Sequence, residues 1–65
     1  MATRTDLDLV QDGYELQFAM VYQAFIEAYV AANNNPTEQD AAAARFQAGV
    51  RSARAIRDKA KSNLP

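Results

Sequence analysis

The chain has 65 residues, a formal net charge of −1, and neither cysteine nor histidine. That length allows one domain, residues 1–65, with too little interior to be comfortably stable alone. Without Cys or His, disulfide staples and the usual structural zinc ligands are excluded, which leaves association with further copies as the common remedy for a small core. The slightly acidic balance argues against a chain that is basic throughout and binds nucleic acid, so nucleic acid is not the expected partner.

Charge is unevenly distributed. Six of the eight acidic groups lie at or before Glu38, and six of the seven basic groups lie at or after Arg45. Such asymmetry suits antiparallel helix pairing or a local anion site. The most apolar run, Phe18–Ala32, is interrupted by Gln23 and Glu27 and lacks basic flanks, so it does not read as a membrane span. No basic region precedes it as in a secretory signal, and a cytoplasmic protein is expected.

The first predicted helix covers about residues 6–32. Apolar residues recur at spacings of four and three: Tyr14, Phe18, Val21, Phe25, Ala28 and Ala32, continued N-terminally by Leu7 and Val10. Thr5 or Asp6 can cap its start. A second capping-box pattern, Asp12-Gly13-Tyr14-Glu15, allows a kink at 12–13. Off the main stripe lies another apolar set, Leu9, Leu16, Met20, Ile26 and Val30. A helix that is apolar on two sides is buried on two sides, and one hairpin partner covers only one. Leu16, Met20, Ile26 and Val30, with Tyr22 and Tyr29 beside the main stripe, are therefore the expected oligomer interface.

The corner is written in Asn33-Asn34-Asn35-Pro36-Thr37-Glu38. Asn35 is a favoured N-cap, Pro36 suits the first helical position, and Glu38 at the third completes a capping-box pattern. Asn33 or Asn34 can take the left-handed conformation that closes the preceding helix. So short a connection predicts an antiparallel hairpin.

The second predicted helix covers about residues 36–62 and presents Ala42, Phe46, Gly49, Val50, Ala53, Ile56 and Ala60 on one face. Most are small, which lets the helix axes approach closely. Gly49 costs about 1 kcal/mol against Ala in a helix interior, so a packing notch is its expected role. At roughly 100° per residue, Arg51, Arg54, Arg57 and Lys61 fall along one flank of this face, with Arg57 aimed almost into it. Their stems can cover the seam and their charges complement the helix C-terminus, with Asp58 and Asp40 as candidate partners for Arg54 or Arg51. Alternatively, these basic residues and Tyr14 form a pocket for an anionic, nucleotide-like ligand, because the guanidinium fork suits phosphate and carboxylate. Arg57 is the residue most in need of a partner.

Enzymatic chemistry is not expected. Nucleophile–base pairs lack Cys and His, Glu15 and Glu27 have no accompanying histidine for a di-metal site, and only two glycines are present, so no phosphate loop exists. Asp6, Asp8 and Asp12 lack the spacing and terminal Glu of a calcium loop. No metal and no cofactor is implied.

Two short stretches carry a family resemblance. Phe46–Ile56, FQAGVRSARAI, resembles the second helix of phage helical-hairpin proteins that sequester cyclic nucleotides and blunt CBASS immunity. Gly13–Leu16, GYEL, is similar, with a one-residue gap, to a Gly-Tyr-x-x-Leu-like opening in that family. The resemblance implies an oligomeric sponge that holds its ligand between hairpins, with Tyr14 and Arg54 as the nearest matches to binding residues.

The expectation is thus an all-α, antiparallel two-helix hairpin that assembles into a homo-oligomeric helical bundle, such as a four-helix bundle. Its expected role is a non-enzymatic binding module whose partners are its own copies and either a protein or an anionic ligand. An RNA-binding hairpin using the basic face of the second helix is the weaker alternative.

Overall fold

The computed structural model describes residues 3–65. Two helices account for most of them, α1 (Asp6–Ala31) and α2 (Pro36–Ser62), packed as an antiparallel hairpin. Thr5 caps α1 in a reciprocal box. Its hydroxyl accepts from the Asp8 N–H at 3.2 Å, and its own N–H donates to Asp8 Oδ2 at 3.0 Å. These bonds pull the Asp8 carboxyl below its ordinary pKa, the Thr5 backbone N–H contributing most and the Thr5 hydroxyl and Arg4 adding to it. The alternative start at Asp12 is not used. The helix runs through Asp12 and Gly13 without interruption, and Asp12 instead pairs with Arg4.

At the corner both candidate asparagines are left-handed, Asn33 with φ 49° and Asn34 with φ 66°. Asn tolerates this region better than most side chains. The Asn35 side chain accepts from the Glu38 N–H at 3.2 Å, so the predicted cap forms. Its reciprocal half does not. The Asn35 N–H already donates to the Ala32 carbonyl at 3.0 Å, and Glu38 is left with no donor to receive there. At the far end of α2, Asn63 and Ser62 both donate side-chain hydrogen bonds to the Lys59 carbonyl at 2.8 Å.

The interhelical seam is almost wholly apolar. Among the described residues no ion pair or side-chain hydrogen bond joins α1 to α2; each stays within its own helix and cap. Phe46 is the hub, with its ring 4.9 Å from Phe25, 6.1 Å from Phe18 and 6.3 Å from Tyr22, centre to centre. Tilted and edge-on pairs such as these are favourable beyond their buried area. Farther along, a Cβ added to Gly49 would lie 2.7 Å from Val21 Cγ1. Glycine is therefore what allows Val21 to seat against α2.

Burial along this seam depends on size. Only Ala32, Ala42 and Ala53 are buried among the described residues, and no large side chain is. Val10, Tyr14, Phe18, Val21, Phe25 and Ala28 reach half-burial, as the stripe requires. Two stripe members do not. Leu7 is 53% and Ile56 is 57% exposed. Leu7 lies level with residues 63 and 64, past the end of α2, so no helical face stands opposite it. Ile56 sits on a shoulder facing the Gly13 level, where α1 has no side chain to cover it. The Cα trace is a thin slab of 48 × 25 × 8 Å. Its radius of gyration is 15.3 Å, against about 11 Å for a compact chain of this length.

Candidate functional site

The antiparallel register sets which residues meet. Val21 opposes Gly49, Phe25 meets Phe46 and Tyr14 meets Arg57, so level partners have numbers that add to a nearly constant value. Tyr14 and Arg57 are thereby joined near the open end of the hairpin. The guanidinium carbon of Arg57 lies 4.6 Å from the centre of the Tyr14 ring, within cation–π range. Its Nε donates to Asp58 Oδ1 at 3.0 Å. Arg57, whose side chain is 23% exposed, thus finds a ring and a carboxylate. This Asp58 pairing replaces the expected one with Arg54. Neighbouring positions diverge by about 100° on a helix, and only the long Arg stem, curled over the ring, closes the gap.

Beside this pair is a hollow of about 260 Å³, lined by Val10, Gly13, Tyr14, Gln17, Ala53, Ile56, Arg57 and Ala60. Gly13 helps make it, since a Cβ there would meet nothing within 4 Å. Gln17 was not singled out from the sequence, and Gly13 only as a place for a kink and as the start of the GYEL stretch, not as a site residue. The signal was present in the corner, because fixing one helix end near Ala32 and the next start at Pro36 sets the register that puts both beside Arg57.

The other basic candidates lie elsewhere. Arg51 and Arg54 border a separate shallow hollow with Phe46, Gln47 and Val50. Lys61 is exposed one turn beyond Arg57. Neither Arg51, Arg54 nor Lys61 makes an ion pair among the described residues, and neither does Asp40. A third hollow, about 240 Å³, surrounds the Gly49 notch with Val21, Ala24, Phe25 and Arg45 on its walls.

The apolar interface candidates separate into two patches. Tyr22 and Tyr29 belong to the broad face on which Phe18, Phe25 and Phe46 cluster, and Ile26 borders it. Leu16 and Met20, with Leu9, form a ridge on the side of α1 turned away from α2, roughly 160–200° from Phe18 at 100° per residue. Exposure is 69% for Leu16, 73% for Met20 and 71% for Val30.

No family model, curated protein or solved structure matches this chain. No described helix is long and apolar enough to cross a membrane. Among the described residues, no cluster of acidic side chains is placed to hold a metal ion.

Proposed function

We propose that this protein is a non-enzymatic, homo-oligomeric helical module that acts as an assembly or protein-interaction element. One observation carries the proposal: α1 has no buried residue, while large apolar side chains on two of its sides stay open to water. Isolated apolar side chains on a surface are ordinary, but contiguous ones mark association. Sedimentation equilibrium across micromolar concentrations tests it. A reversible assembly is expected, with helicity and melting temperature rising with concentration. A well-folded monomer whose melting temperature ignores concentration would refute the proposal.

A second reading is favoured by the Tyr14–Arg57 hollow. The Arg57 guanidinium on the Tyr14 ring, beside apolar walls that Gln17 also borders, suits a small anionic ligand with a planar ring. Of the two residues that the resemblance to cyclic-nucleotide sponges implies, Tyr14 lines this hollow and Arg54 borders another. Thermal-shift measurements with cyclic dinucleotides should then raise the melting temperature of the natural chain but not of Arg57→Ala. No shift with any of them would remove this reading and leave the assembly role.

A further inference from the structure

The slab has a second unsatisfied feature besides its apolar surface. Acidic side chains of α1 and basic side chains of α2 lie at the same, open end of the hairpin, yet none pairs across the seam. By register, Glu15 is level with Arg54 and Asp8 is level with Lys61. At 100° per residue all four point outward from the broad face that carries Tyr22 and Phe46, a little past its normal. Within one hairpin they flank the face like two rails of opposite sign.

We infer that this face binds a second copy of the chain around a two-fold axis parallel to the helices, so that α1 lies over α2 of the partner. The inference rests on the assembly proposal and specifies its geometry. A two-fold axis along the helices exchanges left for right but leaves height unchanged. It therefore places Glu15 over the partner's Arg54 and Asp8 over the partner's Lys61, with all four helices antiparallel to their neighbours. Apolar surface meets apolar surface as well. Tyr22, Ile26 and Tyr29 of α1 come to lie over the Ala43–Val50 stretch of the partner, whose apolar positions on this face are Ala43, Phe46 and Val50. A two-fold axis across the helices would instead set tyrosine against tyrosine and separate the acidic rail from the basic one.

The surface area agrees. A compact protein of this mass exposes about 4,100 Å², whereas this chain exposes 5073 Å². The surplus is on the order of the 800 Å² that each partner gives to a stable interface. A second layer also converts a single-layer slab into the two-layer arrangement that encloses a core. The Leu9–Leu16–Met20 ridge lies outside this interface.

Charge exchange tests the geometry. Glu15→Lys sets like charges together in the homodimer, and so does Arg54→Glu; each should weaken self-association by about ten-fold or more. An equimolar mixture of the two variants restores opposite charges at both contacts and should regain dimers in sedimentation. Both side chains are exposed and make no ion pair among the described residues, so circular dichroism should show helicity retained. Variants that weaken association with no recovery on mixing, or that leave it unchanged, would overturn the proposed axis while leaving assembly intact. A natural chain that stays monomeric would overturn both. Should a reversal unfold the chain, Glu15→Cys and Arg54→Cys chains, each with a single thiol, can be joined by a short bis-maleimide. Mixed cross-links should exceed Glu15→Cys homodimers, and an equal or opposite yield would sink the arrangement.

Discussion

The two helices solve burial in opposite ways. α1 carries most of the large apolar side chains and buries none of its residues; α2 is studded with charge and buries Ala42 and Ala53. A methyl group disappears beneath one neighbouring ring, whereas a tyrosine or leucine needs neighbours on several sides. In a two-helix layer the small residues are therefore finished and the large ones are half-finished. Hydrophobicity says which helix seeks cover, and side-chain size decides which helix gets it.

Removing the hub tests this contrast most strongly. Phe46→Ala deletes the α2 ring that Phe18, Tyr22 and Phe25 all share, and should cost about 3 kcal/mol, a large share of the ~3–10 kcal/mol expected of so short a chain. A thermal melt followed at 222 nm by circular dichroism checks it, and loss smaller than that of a surface alanine change would show the contacts to be slack.

The two glycines provide a sharper comparison, since one substitution should have opposite signs. Gly49→Ala drives a methyl into Val21, a β-branched side chain with little freedom to yield. Overpacking should outweigh the helix-propensity gain, for a net loss of about 1 kcal/mol. Gly13→Ala meets open space and should gain about 0.5–1 kcal/mol. Pairing Gly49→Ala with Val21→Ala should show strong coupling in denaturant titrations, and additivity would mean that Gly49 is no notch.

Asn35→Ala should cost about 1 kcal/mol by exposing the Glu38 N–H at the start of α2. The smallest effect belongs to Asp8. Its carboxyl is held below its usual pKa, so the stabilisation is complete above the unfolded value, roughly pH 4, and fades as pH falls through the folded one. Protection against hydrogen exchange at the first turn of α1, taken relative to the intrinsic rate at each pH, should fall over that acidic range and not above it. Asp8→Asn should remove the dependence.

Much of this fold was legible in the sequence. Asn35-Pro36 marked the start of α2 to the residue, and the stripe from Val10 to Ala32 named the side of α1 that packs on α2. Leu7 and Ile56 were misplaced because periodicity reports the face a residue occupies and is silent on whether anything stands opposite. The Glu38 return bond failed because the corner had already engaged the Asn35 N–H. For the candidate site, Arg57 was legible from its angle on α2 alone, and Tyr14 from its stripe. Their contact, and the presence of Gly13 and Gln17 beside them, needed the interhelical register. Arg51 and Arg54 shared a flank with Arg57 on the wheel, yet the width of the helix sets them beside a different hollow.

The fit of Val21 against Gly49 has one further consequence. Among the described residues no ion pair or side-chain hydrogen bond joins the two rods, so sliding is limited by the corner, by the Arg57–Tyr14 contact and by shape. A slip of one helical turn, about 5.4 Å, would bring Val21 onto Arg45 or Ala53, where no gap waits for it. The missing side chain works as a detent that adds to the corner, and filling it should loosen the alignment of the two helices without unfolding them.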